Sequence, residues 1–307
     1  MAIRARWALA GAAGCVVLIA ATWVAAFHIG FIRNANLTTY VGFIELHQHG
    51  VIRTLAEHFV SLCNPHRYFF WAPVVVVIAL VRGRPRVALA VAAILLGANL
   101  TTEALKHVLP EPHFAGLLDG WLPVPATEWP SGHSTAAMSA VLGLLLVSPG
   151  RLRPYIAALG AAFAVAVGYS LVSIGSHLPA DVFAGYLVAA TWTLVAVAGL
   201  SAAERRWPSE TTVDRLSLRA ALVPQAAVVV AGVALLALVV LTRPHDALAY
   251  AEGHKQLMVV AAAIATLGVA VSTGVMLSLG PLAGRATAAR DTGPAATAAP
   301  RRHWRPG

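Results

Sequence analysis

Apolar residues come in long blocks along this chain, punctuated by short polar stretches. The first block runs from Trp7 to His28, about 22 residues. That is long enough to cross a hydrocarbon core of ~30 Å as a helix. It also exceeds the roughly 7–15 apolar residues of a signal peptide, so it is read as a retained span. Residues 29–66 are mixed. Leu37, Tyr40, Val41 and Ile44 fall at helical spacing, as do Val51, Leu55, Phe59 and Leu62, which predicts two short interfacial helices. Tyr68, Phe69, Phe70 and Trp71 open a second block in the manner of an aromatic belt. It closes at Arg82-Gly83-Arg84-Pro85-Arg86. Further blocks lie at 87–108, from Ser131 to the arginines at 151 and 153, and at 155–174, 181–200, 221–242 and 256–280. Eight crossings are expected in all. Residues 109–130 form a proline-rich loop with neither Lys nor Arg, and the tail from Ala283 has no apolar periodicity and is expected to be disordered.

Composition narrows the class. The chain is 58% hydrophobic and 11% charged, against roughly 25% charged in soluble domains. The fold class expected is all-α and polytopic. Four segments are expected: 1–67, the first span and an interfacial loop; 68–200, a helical core; 201–282, a loop and two additional C-terminal spans; and 283–307, a disordered basic tail. The net charge of +9 would suit a nucleic-acid partner, but its distribution excludes one. The arginines sit in clusters between apolar blocks, as the positive-inside rule requires. Of the 22 Lys and Arg, sixteen fall on the side holding the N-terminus, 82–86, 151–153, 205–219 and the tail. Arg33, Arg53, Arg67, Lys106, Arg243 and Lys255 fall on the other. Both termini are therefore expected in the cytoplasm of a multi-pass protein of the cell membrane.

That count brings a set of chemically capable groups to one face. Lys106 closes the block before the proline-rich loop, and Trp129-Pro130-Ser131-Gly132-His133-Ser134 opens the block after it. His177 follows His133 by about 44 residues, with Asp181 four further on. All are expected to open on the extracytoplasmic side, and titratable groups at helix mouths in an apolar protein are functional candidates. For any one histidine alone an ordinary interfacial residue is the better account; for five such groups at one face that account is weak. A neutral imidazole is a nucleophile and, once charged, a proton donor. Asp181 can fix the tautomer of His177, and His133 can protonate a leaving oxygen. Lys106 supplies positive charge, and Ser131 with the Gly132 amide sits at a helix start, where anions bind. The set describes a phosphate pocket with an in-line nucleophile. Neither Cys15 and Cys63 nor His47, His49, His58 and His66 show ligand spacing, so neither metal nor cofactor is expected.

These residues resemble a known family. Pro130-Ser131-Gly132-His133 is similar to the central motif of the type 2 phosphatidic acid phosphatase superfamily, the lipid phosphate phosphatase and vanadium haloperoxidase-like proteins. Ser170 to Asp181 resembles its third motif, which reads Ser-Arg, five residues, His, three residues, Asp. Lys106 resembles the start of its first, which reads Lys, six residues, Arg-Pro. The likeness covers about residues 68–200. It implies a six-helix phosphatase-like core, with the last two spans outside it. It further implies a phosphohistidine on His177, a general acid in His133, support of His177 by Asp181, and phosphate contacts from Lys106, Ser131 and Gly132. The implied activity is metal-independent hydrolysis of a lipid phosphate or polyprenyl pyrophosphate. Two positions depart. His113, followed by Phe114, stands for the first-motif arginine, and Leu171 for the third-motif arginine. Arginine's fork is matched poorly by His and not at all by Leu, and one lost transition-state donor costs roughly 10²–10³ in rate. His113, if charged beside a phosphate, partly substitutes and joins the binding candidates. Glu103 is placed either to offset Lys106 or to form a plain helical pair with it. A lapsed member that binds lipid phosphate or a membrane partner is the alternative. A transporter or scaffold would call for mid-membrane charges or paired broken helices, neither clear in the pattern.

Overall fold

The computed structural model describes residues 2–46, 50–109, 129–207, 217–242 and 244–279. Within them the chain forms eleven α-helices: α1 (Ala2–His28), α2 (Gly30–Leu46), α3 (Val51–Leu62), α4 (Pro65–Val81), α5 (Pro85–Val108), α6 (Gly132–Val147), α7 (Arg153–Ser173), α8 (Pro179–Arg206), α9 (Leu218–Thr242), α10 (Pro244–Gly253) and α11 (Lys255–Leu279). Proline stands in the first turn of α4, α5, α7 and α8, where its missing N–H costs nothing and its fixed φ suits the helix. The protein is an all-α, multi-pass membrane protein. His113 with most of its loop, His47, His49 and the tail from Ala283 lie outside the described residues.

Six helices, α1, α5, α7, α8, α9 and α11, are long and apolar enough to cross a membrane alone. α3 and α4 meet at a 58° bend and, counted together, form either a broken seventh span or a re-entrant loop. α6 has 16 residues, which at ~1.5 Å per residue is short for a crossing. It ends at Val147, because Ser148, its C-cap, precedes Pro149 and is extended, the conformation favoured before a proline. The expected second and fourth spans are thus shorter than full crossings. α10 has no counterpart in the apolar pattern, because its ten residues mix Ala and Leu with His, Asp and Glu.

α6 is the axis of the bundle. It packs against α4, α5, α7 and α8, and Met138, Leu142 and Leu145 on it are fully buried. α1 lies along α8, with Ala5 and Ala8 against Val197 and Ala198. Between helices in lipid the gain comes from close packing, which small residues allow. α11 fits against α7 and α8 and buries Ile264 and Ser272 completely. α9 instead exposes Val230, Leu235 and Leu238 and joins α7 through Gln225 Nε2, which donates to the Pro154 carbonyl at 2.9 Å.

Candidate active site

Three helix ends build the site. The first is the start of α6. Ser131 is its N-cap, and the hydroxyl accepts from Ser134 N at 3.4 Å. The Ser131 N–H donates to the Asp181 carbonyl at 3.0 Å, stitching this start directly to that of α8. Gly185 permits the approach. A Cβ there would lie 2.8 Å from the Ser131 carbonyl oxygen and 2.9 Å from Thr135 Oγ1, and would overlap the Ser134 hydroxyl.

The second end is that of α7. Gly175 adopts φ of 76°, a conformation that favours glycine. Ser176 N donates to Leu171 O at 3.0 Å and Gly175 N to Val172 O at 3.1 Å, the paired bonds of a Schellman cap. His177 N also reaches Leu171 O, at 3.3 Å. This cap returns the chain so that His177 stands at the head of α8. The Tyr40 hydroxyl on α2 donates to the Gly175 carbonyl at 2.9 Å. Burial, and then the Asp181 charge, push that phenol up to about 12, so it remains a donor.

The third end is the start of α8. Leu178 is the N-cap and Pro179 needs no partner. Asp181 Oδ2 accepts from Leu178 N at 2.9 Å, and Ala180 N donates to Asn36 Oδ1 of α2 at 3.2 Å. The same Asp181 oxygen faces His177 Nδ1 at 3.3 Å. His177 is 4% exposed and Asp181 1%, and a carboxylate so deep needs such partners. With Nδ1 turned to the carboxylate, Nε2 is the ring nitrogen left for chemistry.

The His133 and His177 rings lie 6.2 Å apart, centre to centre, at 61°, so one transferring group can touch both. His133 Nε2 is 2.9 Å from Asn64 Oδ1. Lys106 Nζ comes from the last turn of α5 to 3.8 Å from where a Cβ on Gly132 would stand. It pairs with Glu103 Oε1 at 3.1 Å, an exposed carboxylate, and such a pair is worth little. The structure thus brings Lys106, Ser131, Gly132, His133, His177 and Asp181 to one place. Leu171 does not offer a side chain there in place of an arginine; it is fully buried in the helical core. Asn64, Asn36 and Tyr40 are polar groups that the motifs do not name. Asn64 precedes Pro65 at a helix start, a sequence signal for a cap. Both cysteines are free thiols, and among the described residues no cluster of three His, Cys, Asp or Glu side chains is placed to hold a metal. An apolar groove of about 530 Å³ lies between α4, α6 and α7, lined by Leu62, Trp71, Val141, Leu144, Ile156 and Phe163 among others.

A lysine, a Ser-Gly-His helix start and a buried His–Asp pair are thus gathered at one mouth of the membrane bundle. Residues 87–205 match the PAP2 superfamily, and over that segment the chain is a member of the type 2 phosphatidic acid phosphatase superfamily. It is 29% identical over 157 residues to an undecaprenyl-diphosphatase of Sulfolobus acidocaldarius, across 50% of this chain and 74% of that relative. No solved structure matches.

Proposed function

We propose that this protein is a membrane phosphatase that hydrolyses a lipid phosphate, with a polyprenyl pyrophosphate the favoured substrate, at the extracytoplasmic face. The buried His177–Asp181 pair facing His133 across 6.2 Å carries the proposal. Membership of the superfamily supports phosphatase chemistry, and the likeness to an undecaprenyl-diphosphatase supports a prenyl substrate. The apolar groove between α4, α6 and α7 offers a hydrocarbon tail a place within the bundle.

In the first step His177 Nε2 attacks phosphorus, and the bond from phosphorus to the leaving oxygen breaks as that oxygen takes a proton from His133. Asp181 stabilises the imidazolium at Nδ1. In the second, His133 takes a proton from water, the water oxygen attacks phosphorus, and the phosphorus–nitrogen bond breaks to restore His177. Lys106 and the amide end of α6 hold the phosphoryl oxygens. Phosphate release from undecaprenyl pyrophosphate, undecaprenyl phosphate and phosphatidic acid by purified protein tests the proposal, with turnover expected and fastest on the pyrophosphate. The buried Leu171 supplies no fork donor and favours a second reading, a lapsed enzyme that still binds lipid phosphate. Wild type inert on every substrate yet retaining such binding would establish it.

The orientation has its own test. With Cys15 and Cys63 replaced by alanine, a cysteine at position 109 is expected to label with an impermeant thiol reagent in intact cells, and one at position 217 is not. The opposite pattern puts the site in the cytoplasm.

A further inference from the structure

The break between α3 and α4 is a built feature, and it carries a side chain into the site. The Trp71 indole N–H donates to the Leu62 carbonyl at 2.9 Å, closing the end of α3. Arg67 Nη1 donates to Ser61 Oγ at 2.7 Å across the break. One turn into α4, the Tyr68 hydroxyl meets Asn99 Nδ2 at 3.1 Å and Ser139 Oγ at 3.2 Å, which fixes α4 to α5 and α6. Asn64 is the N-cap of α4, the position where an asparagine side chain ordinarily bonds its own helix. Here it makes no such bond; its Oδ1 lies 2.9 Å from His133 Nε2 instead. A cap has been forgone, and the amide is directed at the second histidine of the site.

We infer that Asn64 is a positioning residue for His133, holding the ring in its Nε2–H tautomer so that Nδ1 is the nitrogen that exchanges the proton. An amide oxygen can only accept, so Oδ1 selects the protonated Nε2. This leaves a neutral Nδ1 to take the proton of the attacking water and a charged Nδ1–H to give it to the leaving oxygen. Asn64 touches neither phosphorus nor the leaving group; it acts through His133. The inference rests on His133 being the proton-transfer group proposed above. Among the described residues, the charged and titratable groups seen at the site with His133 include His177 with Asp181 on the α8 side and Lys106 with Glu103 on the α5 side, whereas the contact from the α3–α4 break is the uncharged Asn64.

The test uses the full chain in detergent, with Asn64→Leu and Asn64→Asp. Imidazole nitrogen NMR, with the His133 signal assigned by its loss in His133→Gln, reads the tautomer without any need for turnover. Wild type and Asn64→Asp are expected to hold the proton on Nε2, and Asn64→Leu to show a mixture. On the best lipid phosphate, Asn64→Leu is expected to lower kcat by about 10–100-fold while KM stays within about twofold. Asn64→Asp places a carboxylate on the imidazolium and is expected to move the alkaline limb of the pH–rate profile up by about one unit or more. An unchanged tautomer in Asn64→Leu, or equal losses in both variants with an unmoved pH profile, overturns the inference. Asn64→Asp preserves the shape and carries the test if Asn64→Leu does not fold. If wild type turns over nothing, the phosphatase proposal falls while the tautomer measurement still decides the role of Asn64.

Discussion

His177→Ala is expected to abolish phosphate release, leaving less than about a thousandth of the wild-type rate. No described group can take its place. His133 is turned to Asn64 through Nε2, 2.9 Å away, and the ring of His177 is the one backed by a buried carboxylate. Asp181→Asn separates support from attack. Its side-chain oxygen can still accept from Leu178 N, so the start of α8 should stay capped. The imidazolium at Nδ1 loses its countercharge, however, and the rate should fall by roughly 10²–10⁴. The checks are phosphate release under saturating substrate, and detergent monodispersity to show that both variants fold. A phosphatase still active without His177 would refute the mechanism.

Gly185→Ala is expected to be the most damaging methyl group that can be added near the site. The new carbon meets the Ser131 carbonyl at 2.8 Å and Thr135 Oγ1 at 2.9 Å. A hydroxyl can rotate away, but the Ser131 carbonyl is backbone at the head of α6 and cannot. Overpacking of this kind costs about 1–3 kcal/mol, so an apparent Tm lower by several degrees is expected. Relief by separation of α6 from α8 would also strain the 3.0 Å bond from Ser131 N to Asp181 O and widen the gap between His133 and His177. Activity should therefore fall along with stability. Gly199→Ala is the control. It lies on the same helix with nothing within 4 Å of the added carbon, and alanine is the better helix former by roughly 1 kcal/mol, so Tm and activity should hold. Equal behaviour of the two variants would show that the close approach at Gly185 is immaterial.

Much of the bundle could be read from the sequence because membrane helices write themselves as apolar length. The blocks at 87–108, 155–174 and 181–200 correspond to α5, α7 and α8, and the spacing of Leu37, Tyr40 and Val51 to the short helices α2 and α3. Length alone could not show that α3 and α4 join at a bend, nor that α6 stops short, since both depend on how neighbouring helices pack. Among the site residues, those with titratable side chains or motif spacing stood out: Lys106, His133, His177 and Asp181. Asn64 and Asn36 did not, because an uncharged amide gains meaning only from the atom opposite it. Leu171 illustrates the reverse. Its place in the motif pointed at the phosphate, whereas its side chain is fully buried in the core. His113 lies outside the described residues.

The turn at the end of α7 bears on what position 171 can tolerate. Both Ser176 N and His177 N rest on the carbonyl of Leu171, and every amino acid carries that carbonyl. The turn that carries His177 is therefore held without regard to which side chain stands at position 171. What constrains that position is instead the space between the helices, where Leu171 is fully buried.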